Sequence, residues 1–260
     1  MPVSSIRLLQ WRFKFRKRFA TPQKKKAIAL ITTGMEKGGL EQVILDLYHG
    51  YKSRGYRAYI VCQHWVIDSV KELIDAPEDI FLFHDDLQML IHFLWRRDVR
   101  VLHYHYNIFG MKELKEFGFK VIYTMHNTYT WMSDGEIREY ARSLSFADAV
   151  VPVSESVHQY FHRRVGETGI RYQVINNGID FKTLDREDLT LPYSRESLGI
   201  TKDRIVICMV GSFYHAKSQI GMLGVAEKLV QKYPQAVFFF IGNQGDENYY
   251  RGFRMELENC

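Results

Sequence analysis

The loop Thr33-Gly34-Met35-Glu36-Lys37-Gly38-Gly39-Leu40-Glu41 carries the densest chemical signal in the chain. It follows a short apolar run, residues 27–33, and opens a helical pattern. Glycine lets backbone come close to a ligand, and the free N–H groups and dipole of a helix start favour an anion. A P-loop requires Lys and then Ser or Thr after its second glycine. Gly34 and Gly39 have that spacing, but Leu40 and Glu41 follow. A dinucleotide fingerprint requires Gly-x-Gly-x-x-Gly and an acid closing the second strand. Here the second strand ends Val61-Cys62-Gln63, which disfavours NAD. A nucleotide-sugar loop and a tight turn without a ligand both remain open.

Two further sets end apolar runs: His103-Tyr104-His105, and Tyr123-Thr124-Met125-His126-Asn127. In open parallel sheets, ligands bind beyond the carboxyl ends of strands. Gly38, His103, His105 and His126 are therefore expected along one edge. His126 has the stronger case, because His-Asn directly follows a strand, whereas His103 and His105 read as structural. Zinc is disfavoured, since no acid or Cys accompanies them at ligand spacing. Near the other end, Gly211-Ser212-Phe213-Tyr214-His215-Ala216-Lys217-Ser218 again joins an apolar run to a helical pattern. A lysine there suits a diphosphate leaving group. The plain alternative is a solvated lysine in a first helical turn, where it opposes the dipole.

The elements that must position these residues are legible as alternation. Strands are expected at 57–62, 80–83, 99–104, 119–125 and 149–153, and a helix at 39–53 stopped by Gly55. Ser154 is placed to cap a helix running to Arg164, and Asp85 and Asp86 to cap the one after strand three. Repeated strand–helix units predict a doubly wound parallel sheet over 23–170. A polar stretch follows, through Asn176-Asn177-Gly178 and Pro192 to Ser194. The rhythm then restarts: strand 204–210, helix 219–232, strand 236–241, helix 246–258. The expected organisation is a basic tail (1–26), a first Rossmann-like domain (23–170) and a partial second one (171–260).

Composition supports a globular α/β protein: 260 residues, 46% hydrophobic and 25% charged. Net charge is +5, but nine basic residues fall within the first 26, and the first acid is Glu36. The basicity belongs to a tail on a mildly acidic body, so a nucleic-acid partner is not expected. Cys62, Cys208 and Cys260 are far apart and read as buried small hydrophobes in a reducing compartment. The cationic start is not followed by a long apolar run, which argues against a cleaved signal, and no run of 18 apolar residues occurs, which argues against a membrane span.

Six segments occur in an order typical of one family. They are Gly-Gly-Leu-Glu (38–41), the strand ending His126-Asn127, Ala147-Asp148-Ala149-Val150-Val151-Pro152-Val153-Ser154, Val174-Ile175-Asn176-Asn177-Gly178-Ile179-Asp180, the Val210-Gly211 strand end with Lys217, and Phe240-Ile241-Gly242. Across residues 27–250 the chain resembles the retaining family 4 glycosyltransferases of GT-B fold, with two Rossmann-like domains. The resemblance implies metal-independent transfer from a nucleotide-activated sugar, with no cofactor. Retention is usually ascribed to same-face attack assisted by the leaving phosphate. His126 matches the histidine near the transferred sugar, and Lys217 the lysine on the donor diphosphate. Gly38 and Gly39 match the cleft loop, and Asn127, Asn177, Gly178 and Ser212 fall with the substrate-binding set. Where the family often has Arg, this chain has Ser212. The family's paired-glutamate motif would lie beyond residue 260, so the second domain reads as truncated. The isolated chain is then expected to bind donor poorly, to lack measurable transfer and to self-associate. A non-catalytic glycan- or partner-binding module is the alternative, favoured by Ser212.

The expected partners are a nucleotide-sugar donor and a glycan or lipid-linked acceptor, in the cytoplasm. Residues 1–26, with Trp11, Phe13, Phe15 and Phe19, read either as a peripheral contact with the inner face of a membrane or as a disordered solubilising tail.

Overall fold

The computed structural model describes residues 5–23, 25–179 and 193–259. Lys24, Asp180, Pro192 and Cys260, which enter the sequence reading, lie outside the described residues. The chain divides into two compact units, Met1–Ile179 and Asp180–Cys260.

The first unit opens with helix α1 (Ser5–Phe19) and continues as β1 (Ala27–Met35), α2 (Gly39–Ser53), β2 (Arg57–Val66), α3 (Asp68–Lys71) and β3 (Ile80–Leu82). It then runs through α4 (Leu87–Arg96), β4 (Val101–His105), α5 (Met111–Phe117), β5 (Lys120–Met125), α6 (Asp134–Leu144), β6 (Ala149–Pro152) and α7 (Glu155–Val165). The six strands form one sheet in the order β3-β2-β1-β4-β5-β6, and every pairing is parallel. Parallel strands buried on both faces need unbroken apolar runs, and Ala27 to Ile31 are all buried. On one face Ala29, Ile31, Leu102, Tyr104, Val121 and Tyr123 pack with residues of α4, α5, α6 and α7. On the other, Leu30, Ile60 and Cys62 pack with Ile44, Leu45 and Tyr48 of α2.

Local signals set the helix bounds. Asp86 accepts from the N–H groups of Gln88 and Met89. Ser154 accepts from Val157 N–H at 3.2 Å, and Ser133 and Glu136 form a reciprocal capping box. Gly55, with φ of 81°, follows α2 and takes a turn that other residues rarely adopt.

The N-terminal region departs from the tail reading. Leu8, Trp11, Phe15 and Phe19 pack against the first core, and Phe15 is only 1% exposed. Its ring meets Trp95, Phe117 and Phe119 at centroid distances of 5.1, 5.7 and 4.9 Å. Arg18 donates to the Trp95 carbonyl at 2.6 Å and pairs with Asp98 at 3.2 Å. Alternating ring and charge looks patternless along the chain. Spacings of three and four nevertheless gather these four side chains into one helical stripe.

The second unit holds β7 (Ile205–Val210), α8 (Gln219–Lys232), β8 (Ala236–Ile241) and α9 (Glu247–Asn259). Its two strands are parallel, and its core is Phe213, Leu223, Tyr249 and Phe253. Cys62 is buried as expected, but Cys208 is exposed. Among the described residues β7 pairs with β8 alone, and this small core does not reach Cys208.

Truncating a buried phenylalanine to alanine costs about 3–5 kcal/mol. Phe15→Ala is therefore expected to lower unfolding free energy by about that amount, read by urea titration. An unchanged midpoint would return residues 5–19 to the status of a tail.

Candidate functional site

The first unit has the strand order whose reversal point lies between β1 and β4, where ligands bind beyond the strand ends. Register brings Thr32, His105 and Thr124 side by side across β1, β4 and β5. Just beyond them lie Thr33 and the glycine loop, Tyr106 and Asn107, and His126 and Asn127.

Hydrogen bonds tie this edge together. Thr33 Oγ1 donates to the Tyr106 carbonyl at 3.2 Å. The buried Asn107 donates to Gln63 Oε1 at 2.6 Å and accepts from Phe109 N–H at 2.7 Å. Gln63 in turn donates to Asp85. The Trp65 ring packs onto Gly34, where a Cβ would force it to shift.

Three imidazoles lie under the edge. His105 Nδ1 and His126 Nε2 are 2.9 Å apart. His103 Nε2 lies 2.7 Å from Thr124 Oγ1. Burial pushes His126 down to about 4. Burial, and then the neighbouring His126, push His103 down to about 3. Burial also holds His105 well below its usual value, with His103 and His126 adding to the effect. All three are neutral near pH 7, so the His105–His126 contact holds a single proton. Buried His105 Nε2 has no partner among the described residues. Leaving a lone pair bare is better tolerated than leaving an N–H bare. His105 Nδ1–H therefore donates to His126 Nε2, and the remaining hydrogen of His126 sits on Nδ1. This makes His126 a neutral donor suited to a hydroxyl.

Gly38 and Gly39 are exposed at the start of α2. Gly38 is extended, and the Glu41 carboxylate lies against it, where a Cβ would collide. Burial pushes the Glu41 carboxyl up, opposed by hydrogen bonds from its own N–H and that of Glu36. A Cβ on Gly39 would meet nothing within 4 Å. Asn127 is exposed, and its side chain accepts from Thr128 N–H at 2.8 Å. Asn177 and Gly178 are exposed on the segment running parallel to β6, beyond Ile175 N–H, which donates to the Pro152 carbonyl at 3.1 Å.

In the second unit, the exposed Lys217 ends a short 3-10 turn rather than sitting in the first turn of α8. Its alkyl stem passes over Gly211, 3.6 Å from where a Cβ on that glycine would sit. Ser212 is half-buried, and Gln219 donates to its carbonyl at 2.9 Å.

The structure thus brings Gly38, Gly39, His126 and Asn127 to one edge of the first unit, and Ser212 and Lys217 to one strand end of the second. Glu41, Gln63, Tyr106, Asn107 and the positioning of His126 by His105 were not apparent as site features in the sequence. Only the polar residues closing strands one, two and four hinted at them.

A family model described as Glycosyltransferase Family 4 matches residues 37–183, more than half of the chain, and the chain belongs to that family. None of the curated proteins matches the sequence. Among solved structures, HepE of Anabaena in complex with UDP and glucose is similar, with TM-score 0.68 and 16% identity over 90% of this chain and 66% of that one. A glycosyltransferase from Rickettsia africae has TM-score 0.68 and 17% identity, covering 91% of this chain and 66% of that one. WaaG, a glycosyltransferase involved in lipopolysaccharide biosynthesis, has TM-score 0.60 and 15% identity, covering 89% and 67%. The chain thus spans about two thirds of the length of these structures, whose likeness establishes the two-unit GT-B fold.

A histidine kept neutral in the fold but protonated when unfolded makes stability fall as pH falls. The loss starts near the unfolded value of about 6.5 and continues to the folded values, at about 1.4 kcal/mol per pH unit for each imidazole. His103 and His126, at about 3 and about 4, are expected to remain neutral at pH 5 by imidazole nitrogen NMR, while unfolding free energy drops between pH 7 and 5. Midpoints near 6.5 for both rings would contradict the buried, neutral assignment.

Proposed function

We propose that this protein transfers a sugar from a nucleotide-diphosphate sugar to a glycan or lipid-linked acceptor, with retention and without a metal ion. The observation that carries the reading is His126, held neutral on His105 at the open edge of a unit matched by the family model. Its Nδ1–H suits a hydroxyl of the reacting sugar. Lys217 supplies a positive charge where negative charge builds on a departing diphosphate. A cation of the chain itself takes the role that a metal ion would otherwise fill. The leaving phosphate assists attack from the face it vacates, which gives retention. HepE was solved with UDP-glucose and WaaG acts in lipopolysaccharide biosynthesis; both support a nucleotide-sugar donor and a glycan or lipid-linked acceptor.

The same reading places the protein in the cytoplasm, in peripheral contact with a membrane through α1. No helix among the described residues is long and apolar enough to cross one. Leu9 and Phe13 are 65% and 72% exposed, and Arg7, Lys14, Arg16 and Lys17 are exposed around them. Apolar side chains among cations suit an anionic bilayer surface, each cation contributing about 1 kcal/mol.

Transfer from UDP- and GDP-hexoses by the full-length protein tests the activity. His126→Ala and Lys217→Ala are each expected to lower kcat at least a hundredfold. Gly39→Val, whose side chain enters open space, is expected to lower turnover at least tenfold. All three should unfold within a few degrees of the parent; unchanged turnover in all three would sink the assignment. Sedimentation with phosphatidylglycerol vesicles tests the membrane contact. Binding is expected to fall with salt and in the Leu9→Ser/Phe13→Ser variant, which spares Phe15. Indifference to both would exclude α1 as the contact.

A further inference from the structure

Beyond the strand ends that carry His105 and His126 lie three aromatic rings with no part in the chemistry above. Tyr106 directly follows β4 and is 44% exposed, and Trp131 lies on the loop after β5 and is 55% exposed. Tyr129, 1% exposed, packs against both, at 5.9 Å from Tyr106 and 5.5 Å from Trp131. Tyr129 is itself backed by Tyr140 at 5.0 Å. The two exposed rings are therefore braced from the core rather than loose on the surface.

The backbone reinforces this. Tyr106 and Tyr129 have φ of 56° and 55°, in the left-handed region that bulky residues rarely occupy. Such conformations persist where the surroundings hold them, and they cluster at ligand sites. Thr33 Oγ1 holds the Tyr106 carbonyl across the reversal point. Packing alone does not explain the arrangement, since two of the three large rings keep about half their surface in water.

A pyranose presents one face of C–H groups and a rim of hydroxyls. It is recognised by a flat exposed aromatic face beside hydrogen-bonding side chains. Both are present: Tyr106 and Trp131 supply rings, and Thr33, Gln63, Asn107 and Asp85 form the polar network beside Tyr106. The ring planes of Tyr106 and Trp131 are inclined at 42° with centroids 6.4 Å apart, so each ring offers its own stacking face.

We propose that Tyr106 and Trp131 form a carbohydrate-stacking platform that seats an acceptor sugar next to His126. This rests on the glycosyltransferase reading for the word acceptor, but not for the binding of sugar. It makes the acceptor's recognised part a sugar ring rather than a lipid chain.

The test follows the Trp131 indole N–H resonance of the full chain, assigned with Trp131→Phe, during titration with maltohexaose, cellohexaose and chitohexaose. At least one is expected to shift it saturably. Tyr106→Ala should weaken that binding tenfold or more, while Tyr106→Phe, which keeps the ring, stays within threefold. No shift with any of the three sugars, or equal binding by Tyr106→Ala, overturns the platform. A shift with phosphatidylglycerol vesicles and none with sugars also overturns it, in favour of a membrane contact. The transferase reading is judged separately, by donor-dependent transfer. Sugar binding without transfer keeps the platform and removes the enzyme, and transfer with an unmoved Trp131 does the reverse.

Discussion

The reversal of winding between β1 and β4 is the constraint on which the first unit's chemistry depends. Crossovers between parallel strands are right-handed in nearly every case. Building outward from β1 to β3 and then restarting at β4 therefore puts the following helices on opposite faces of the sheet. The loops leaving β1 and β4 therefore run to opposite faces, with the strand ends between them. Backbone and side-chain polar groups at such an opening must find partners locally. That accounts for the Thr33–Tyr106 and Asn107–Gln63 hydrogen bonds, and for side chains at this edge that are neither core nor plain surface.

Desolvation then decides what these side chains can do. An imidazole with its pKa near 4 is almost never charged at neutral pH, so His126 is a poor general acid. It is instead a directional neutral donor, held in one tautomer by His105. Lys217 is the opposite case, an exposed cation. A directional dipole suits a hydroxyl whose charge changes little, and a full charge suits a phosphate on which charge accumulates. In the proposed transfer the two units therefore offer complementary chemistry rather than duplicate sites.

Much of the fold was legible, because periodicity and stop signals agree with tertiary packing. Helix α2, bounded by Gly38 and Gly55, and strand β8 match their readings residue for residue. Helix α1 was not legible, since its buried stripe is diluted by nine basic residues in 26. Cys208 was misread because an apolar strand run does not reveal how many neighbours the strand has. The His105–His126 pair was hidden for a different reason. Residues 21 apart in sequence meet only through the register that sets His105 opposite Thr124. Tyr106 and Trp131 give no periodic signal at all, because their distinguishing feature is a backbone angle and an exposed ring face.

The two helix starts show why similar motifs need not bind similar ligands. Both α2 and α8 follow a strand and a glycine-containing loop, and both lack a side-chain cap. At α2 the first turn contains Glu41, whose carboxylate already lies against Gly38. A phosphate arriving there would displace or face a like charge, at a cost that grows as the site is desolvated. A hydroxyl would gain a strong acceptor instead. The first turn of α8 holds no acid, and Lys217 precedes it by two residues. At α8 the positive charge of Lys217 and the helix dipole therefore reinforce one another, while at α2 the Glu41 carboxylate opposes an incoming anion. In the proposed transfer, charge assigns the anion to the second unit and the hydroxyl-bearing ligand to the first.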